Sequence, residues 1–408
     1  MAMSRAKTPH RLVRLVTAMV TSFTIVNGWR PVSRRGGRRS IPLFVDGLLG
    51  SEAPLVVASV HLVAFGRLAR RARGVARGLF VMVGLTGVAV SIENYRRARA
   101  TEKSLPEQVR AELGARTTTS IDPTTSIGGV TPRSHHTPWF LLHRSYTSPS
   151  TRGIRFGEHG RFNTLDVWRR PDVPGRTPVL VQIHGGGWSV GDNRTQGVPL
   201  LAHLAEAGWT CVAPRYRLSP RATWPDHLDD VRRALDWVRA NIESHGGDPS
   251  FIALTGGSAG AHLAALAGLT SDDPVQAVVP FYGTYDWIDP NDENNPAVRH
   301  LLENHVVKRS IRNSSDVFRQ GSPIEHVSPS APPFFILHGT NDSLLHVEPA
   351  REFVDRLRAV SQQPVVYAEL PLAQHSFDLF RTPRSRGACE AVEVFLGHMY
   401  RISTTEDR

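Results

Sequence analysis

The chain has 408 residues, of which 40% are hydrophobic and 21% are charged, and its formal net charge is +11. This length is greater than that of one ordinary domain, and the composition excludes a disordered or collagen-like protein. The only cysteines, Cys211 and Cys389, exclude a disulfide framework and have no metal-ligand spacing, so we expect no metal site.

The positive charge is concentrated in the first quarter of the chain. Residues 1–110 hold 19 Lys and Arg against 5 Asp and Glu, which gives +14. Residues 111–408 hold the remaining 29 against 32, which gives −3. Because the larger part is nearly neutral, we do not expect it to bind nucleic acid.

Three uncharged, mostly apolar runs occupy the N-terminal quarter, at residues 15–29, 53–66 and 78–92, and arginine clusters flank them. Each run is shorter than the roughly 20 residues of a membrane-spanning helix. If all three runs crossed the membrane, some of the flanking arginine clusters would lie on its outer side, which the positive-inside rule disfavours. We therefore expect residues 1–100 to form re-entrant or interfacial helices on an anionic membrane or in the cell envelope. A soluble, cytoplasmic helical cap is the alternative.

The first apolar run follows a basic start, as in a signal peptide, but no clear cleavage site follows it. Residues 101–139 are rich in Thr, Ser, Gly and Pro towards their end and are predicted to be a linker. The catalytic domain is predicted at 140–402. Within it, apolar runs alternate with helical patterns such as that of residues 227–242. This alternation predicts an α/β fold, a mostly parallel sheet with helices on both faces.

In such sheets the chemistry lies beyond the carboxyl ends of the strands. The apolar run 251–255 is followed directly by GGSAG, residues 256–260, and then by a helical pattern. A serine between a strand and a helix sits in a sharp turn with its hydroxyl exposed. Ser258 is therefore the predicted nucleophile, and a tight turn without chemistry is the alternative.

A serine hydroxyl needs a base, and the base needs an acid that orients it. His375 follows the last predicted strand, and Asp342 follows the strand before it. We predict that these residues are the base and the acid. Asp378 is a rival for the acid, but it lies only three residues from the base. Glu348 is another rival, but it lies further along the chain from the strand end, in the next predicted helix.

The sequence HGGGW follows another predicted strand, at residues 184–188. Glycines allow backbone N–H groups to approach the negative oxygen of a tetrahedral intermediate. The predicted oxyanion hole therefore consists of the N–H groups of Gly185, Gly186 and Ala259. His184 is expected to brace this loop.

The long connection at residues 282–333 is predicted to be part of a lid over Ser258. Tyr282 and Trp287 within it, together with Trp188, are predicted substrate-pocket residues. Alternatively, the connection is a surface loop with buried aromatic side chains. Trp188 could equally pack beneath the glycine loop.

The motifs HGGGW, YRLSP, GGSAG, HGTND and QHSFD, in this order, resemble the hormone-sensitive-lipase-like branch of α/β-hydrolases. The resemblance covers about residues 140–400 and is greatest to actinobacterial esterases with a hydrophobic N-terminal region. It implies an α/β-hydrolase fold and a serine carboxylesterase or lipase without a cofactor. One departure is Gly257, where many members have Asp, and this departure leaves the acyl preference open.

The sequence thus predicts a Ser-His-Asp hydrolase that acts on short to medium acyl esters, with a small-molecule or lipid ester as substrate and a membrane surface as partner. An amide or formamide hydrolase, or a non-catalytic binding module of the same fold, is the alternative. The sequence leaves the oligomeric state open.

Overall fold

The computed structural model describes residues 19, 22–27, 29, 40–115, 150–289, 291 and 295–406. These residues form one eight-stranded sheet, whose strands are β1 Thr151–Arg155, β2 Thr164–Trp168, β3 Thr177–Ile183, β4 Thr210–Pro214, β5 Gly247–Gly257, β6 Ala277–Phe281, β7 Phe334–Gly339 and β8 Val365–Leu370. Their order in the sheet is β1-β2-β4-β3-β5-β6-β7-β8, and β2 alone runs opposite to the other seven strands. The predicted α/β fold is confirmed.

From residue 40 onwards, the described part of the chain contains ten α-helices. They are α1 Ser40–Glu52, α2 Pro54–Arg71, α3 Gly74–Gly114, α4 Val198–Glu206, α5 Asp226–Asn241, α6 Ala259–Leu269, α7 Pro296–Leu301, α8 Ser315–Gln320, α9 Glu348–Val360 and α10 Pro383–Glu406. Short 3₁₀ segments lie at Gly160–Asn163, Ile242–His245 and Pro323–His326, and a π-turn at Leu302–Val306 follows α7.

Strands β3, β4, β6 and β7 are buried along their whole length, which explains their largely apolar sequences, whereas the edge strand β1 is mostly exposed. In β3, Val179 and Val181 face a core that includes residues of α5, α6 and α9, whereas Leu180 faces a second core with α3, α4 and α10. This alternation follows from the two-residue period of a strand. The sheet is thereby fixed between two apolar layers, and its strand ends form a rigid edge.

The structure corrects the predicted linker at residues 101–139. Helix α3 continues to Gly114, and Leu105, Val109 and Leu113 are buried against the second core. These three side chains are four residues apart and lie on one helix face. The polar residues between them obscured this pattern. Most of the remaining linker, residues 116–139, lies outside the described part of the chain.

Helices α2 and α3 pack as an antiparallel hairpin. A side chain at position 84 would contact Phe65, and one at position 87 would contact His61, so Gly84 and Gly87 allow the helices to approach closely. By length and composition, α3 can cross a membrane, and α1 and α2 form an apolar pair bent by 101°. Of the first apolar run, residues 15–29, the structure describes residues 19, 22–27 and 29, and all of these are helical.

The N-terminal helices are docked on the catalytic domain through a buried ion pair. The Arg384 guanidinium, at the start of α10, donates to Glu52 Oε1 at 3.2 Å and to the Ser51 carbonyl at 2.6 Å. The hydroxyl of Thr382 donates to the other carboxylate oxygen of Glu52 at 2.6 Å. Burial lowers the pKa of Arg384, and the negative charge of Glu52 partly offsets this effect. These contacts place the helical region against the catalytic domain.

We predict that Arg384→Ala lowers the free energy of unfolding by roughly 3–5 kcal/mol, because it leaves a carboxylate buried without its charged partner. The matched control is Arg386→Ala. Arg386 pairs with Glu102 of α3 at 2.6 Å, but its side chain is 34% exposed, so its loss is expected to cost about 0–1 kcal/mol. Denaturant unfolding of both variants is the measurement. Equal losses would contradict the role given to the buried pair.

Candidate active site

Ser258 occupies the turn between β5 and α6 with a φ of 57° and a ψ of −121°. Its N–H donates to the Phe281 carbonyl of the neighbouring strand at 3.0 Å, which holds the turn against the sheet. A side chain at position 260 would lie 2.1 Å from the Ile183 carbonyl, so only glycine fits there. The sharp turn therefore carries Ser258 to the edge of the sheet, where it lines a cavity.

His375 and Asp342 meet at the same edge from the loops after β8 and β7. The His375 Nδ1–H donates to Asp342 Oδ2 over 2.6 Å. The other oxygen, Oδ1, accepts the N–H groups of Leu344 at 2.9 Å and Leu345 at 2.8 Å. Asp342 is thus fixed by the backbone and aligned with the imidazole, while His375 lines the same cavity as Ser258.

The environment of Asp342 favours its ionised form. Burial by itself raises the pKa of this carboxyl, but the charge of His375 and the hydrogen bonds of His338 and His375 outweigh it and bring the pKa below its usual range. His338 lies at the end of β7, with Nε2 3.4 Å from Asp342 Oδ2 and 2.9 Å from the Leu345 carbonyl. Sequence reasoning missed this second histidine, although it stands four residues before Asp342.

Asp378, the sequence rival for the acid, has a different partner. It is half-buried and accepts a hydrogen bond from the hydroxyl of the buried Tyr282. Burial raises the pKa of Asp378, and the bond from Tyr282 only partly offsets this. The other rival, Glu348, begins helix α9. His375 is therefore hydrogen-bonded to Asp342, and Tyr282 is hydrogen-bonded to Asp378.

The cavity in front of Ser258 and His375 has a volume of about 500 Å³. Residues 297–305, from α7 and the π-turn, supply one side of it through Ala297, Val298, His300, Leu301 and His305. The predicted lid segment therefore lies beside Ser258, and residues 290 and 292–294 of it are outside the described part.

The predicted pocket residues divide into two groups. Trp188 and Tyr282 line the cavity. Trp287 does not line the cavity, so its prediction as a pocket residue was wrong. The Trp287 ring stacks on His262, with ring centroids 4.4 Å apart, and only 2% of the residue is exposed. The cluster around it lies behind the cavity wall, where an aromatic side chain adds packing rather than substrate contact.

The glycine loop also requires one correction. The N–H of Gly185 donates to Gln196 Oε1 at 2.6 Å, so it is occupied and the sequence could not reveal this partner. Gly186 and Ala259 both line the cavity. Gly186 has a φ of 115°, and a side chain there would lie 2.0 Å from the Val190 carbonyl. Ala259 begins α6, where the first N–H groups have no acceptor within the helix.

His184 braces this loop, as expected from the sequence. Its Nδ1 is 2.9 Å from the Gly185 carbonyl, and its ring stacks on Tyr216 with centroids 4.3 Å apart. The Tyr216 hydroxyl donates to the His184 carbonyl at 2.9 Å. Burial lowers the pKa of His184 to about 4, so the ring is neutral near pH 7. A neutral, stacked ring suits a structural part of the loop.

The structure accounts for Gly257, the departure from the family pattern. A side chain at this position would lie 2.6 Å from the Tyr282 hydroxyl and 3.0 Å from its ring. Tyr282 occupies that space, and its ring lies 4.6 Å from that of His375. Glycine at position 257 is therefore coupled to the Tyr282–Asp378 pair, a relation between residues that are far apart in sequence.

One cavity residue comes from outside the predicted catalytic domain. Phe44 of α1 lines the cavity together with Ser258 and His375. Its ring makes an edge contact with the imidazole of His375, with centroids 5.8 Å apart and planes at 79°. No signal in the sequence distinguishes Phe44 from the other apolar residues of the N-terminal quarter.

The chain is similar to several known esterases. The family model described as BD-FAE matches residues 165–357. The chain is 43% identical over 403 residues to "Probable carboxylic ester hydrolase LipM" of Mycobacterium tuberculosis, covering 95% of this chain and 93% of that protein. It is 47% identical over 273 residues to "Esterase LipQ" of the same organism, covering 63% of this chain and 64% of that protein.

Two solved esterase structures each match about three fifths of this chain. A truncated carbohydrate esterase from gut microbiota aligns with a TM-score of 0.54 at 22% identity, over 62% of this chain and 97% of that one. A propionate-bound esterase of Thermogutta terrifontis aligns with a TM-score of 0.51 at 22% identity, over 63% and 95%. At these identities the likeness establishes the fold alone.

Proposed function

The chain belongs to the hormone-sensitive-lipase-like family of α/β-hydrolase carboxylesterases, and we propose that it hydrolyses short to medium acyl esters through Ser258, His375 and Asp342. The observation that carries the proposal is the 2.6 Å bond between His375 Nδ1 and Asp342 Oδ2, beside a serine that lines the same cavity.

In the proposed reaction, the Ser258 Oγ attacks the ester carbonyl carbon while the His375 Nε2 accepts its proton. The bond to Asp342 keeps the other ring nitrogen protonated and stabilises the imidazolium that forms. When the tetrahedral intermediate collapses, His375 returns the proton to the departing alcohol. Water then attacks the acyl-enzyme with the same base, which releases the acid and restores Ser258.

The negative oxygen of each tetrahedral intermediate requires preorganised donors. We assign this role to the N–H groups of Gly186 and Ala259, which line the cavity. Gly185 is left out because its N–H is bound to Gln196. Ala259 also begins a helix, and the helix dipole favours negative charge at that end.

The size and lining of the cavity support short to medium acyl chains. Its volume of about 500 Å³ lies in the lower part of the range of ordinary small-ligand pockets. The lining is largely apolar and includes the side chains of Trp188, Val190, Val298, Leu301 and Leu345. An acyl chain of a few carbons fits such a space.

We further propose that the α2–α3 hairpin lies on a membrane surface. Exposed apolar side chains cover it: Leu55, Val56, Val60, Leu62, Val63, Val75, Leu79, Val81, Met82, Leu85 and Ile92. Five exposed arginines surround its turn: Arg67, Arg70, Arg71, Arg73 and Arg77. Apolar area beside clustered positive charge suits an anionic lipid interface.

Replacement of the nucleophile tests the proposed reaction. Ser258→Ala is expected to lower kcat by about six orders of magnitude, because the three residues act as a unit, and to abolish covalent labelling by a fluorophosphonate. The measurement uses p-nitrophenyl esters of increasing chain length beside amide and formamide analogues. Undiminished labelling of the variant would refute the nucleophile, and faster cleavage of formamides than of esters would refute the substrate class.

The carboxylates of Asp342 and Asp378 provide a second, internally matched test. Asp342→Asn is expected to lower kcat by about four orders of magnitude, because the amide favours the wrong imidazole tautomer. Asp378→Asn, the control, keeps an acceptor for Tyr282 and should leave most of the activity. Steady-state kinetics of both variants decides, and a greater loss for Asp378→Asn would give the orienting role to Asp378.

Vesicle sedimentation tests the membrane proposal. The full chain should pellet with anionic vesicles, and salt should weaken this only in part, because burial of apolar side chains is not screened. The double variant Leu62→Glu and Leu85→Glu should stay in solution, whereas Gln362→Glu with Gln363→Glu adds the same charge on the catalytic domain and should still pellet. Equal behaviour of the two double variants would contradict the assignment of the hairpin.

A further inference from the structure

Helix α1 contacts the loop that carries the catalytic base. The Phe44 ring lies against His375, and a side chain at position 47 would lie 2.5 Å from Gln374 Nε2. The Gln374 side-chain oxygen accepts the N–H of His375 at 2.9 Å and the N–H of Ser343 at 2.8 Å. One glutamine therefore connects α1 with both loops of the predicted triad.

The position of α1 is fixed at its middle and at its end. In the middle, Asp46 accepts the Thr24 hydroxyl at 2.6 Å and the Asn27 amide at 2.9 Å. At the end, Glu52 is buried against Arg384 of the catalytic domain. A helix held in this way presents Phe44 to the cavity as a constant part of its wall.

We propose that Phe44 is a specificity-determining residue of the esterase site and that α1 is a wall of the acyl-binding cavity. The inference rests on the proposed nucleophile, Ser258, since both residues line the same space. The aromatic side chain shortens the cavity on the α1 side and restricts the tilt of the His375 ring. A chain that began at residue 140 would lack this wall and would leave Arg384 without its carboxylate.

The two faces of α1 provide a matched control. Phe44 is half-buried at the cavity, whereas Val45, the next residue, has 49% of its surface exposed. Substitution of either removes apolar side-chain atoms from the same helix turn. Only Phe44 touches the cavity, so a general weakening of α1 would affect both variants.

The test is a chain-length profile of kcat and KM with p-nitrophenyl esters for Phe44→Ala, Phe44→Leu and Val45→Ala in the full chain. Phe44→Ala should shift the preferred acyl chain to a greater length. It should also lower kcat/KM for the shortest esters by about 10-fold, because a short acyl chain would leave a space of about one methylene group unfilled in the pocket. Phe44→Leu should restore most of the original profile. Val45→Ala should leave it unchanged.

Each outcome decides the proposal. An unchanged profile in Phe44→Ala overturns it. A uniform loss at all chain lengths that Phe44→Leu does not rescue, accompanied by a lower unfolding midpoint, also overturns it in favour of a structural role. If Ser258→Ala remained active, the proposed reaction would fail, but a changed profile in Phe44→Ala would still place α1 at the working site.

Discussion

Ser258 is held in a backbone conformation that non-glycine residues rarely adopt, and the surrounding architecture makes this turn possible. A φ of 57° costs on the order of 1–3 kcal/mol and persists only where neighbouring structure fixes it. Here the Phe281 carbonyl binds the Ser258 N–H, and the Ile183 carbonyl leaves no room for a side chain at Gly260. The strain therefore depends on three adjacent parallel strands, which the two apolar cores hold in register.

The same edge of the sheet gathers the other reactive groups. Because β7 and β8 run parallel to β5, the loops after them bring Asp342 and His375 towards Ser258. Tyr282 then fills the space above Gly257 and takes Asp378 as its partner. Asp342 and Asp378 thus have separate partners, His375 and Tyr282, and this separation leaves Asp342 available to His375.

The N-terminal helices give the site a wall that the catalytic fold does not supply. A buried Arg384–Glu52 pair fixes their position, and removal of one partner from such a pair costs far more than loss of an exposed one. The hairpin of α2 and α3 leaves its apolar side chains exposed, while α1 places Phe44 at the cavity. The proposed membrane surface and the acyl site are therefore properties of one continuous helical segment.

The sequence by itself determined the α/β fold and the positions of Ser258, Asp342 and His375 at strand ends, because these depend on local patterns: apolar runs, glycines and a fixed order along the chain. It misplaced residues 101–114, since the apolar face of Leu105, Val109 and Leu113 becomes evident only against the core it covers. Only the tertiary structure decided that Trp287 is buried behind the cavity, that Gly185 binds Gln196, and that Phe44 meets His375. These are contacts between residues that are distant in sequence or hidden by side-chain packing, and no local pattern encodes which of many similar residues will make them.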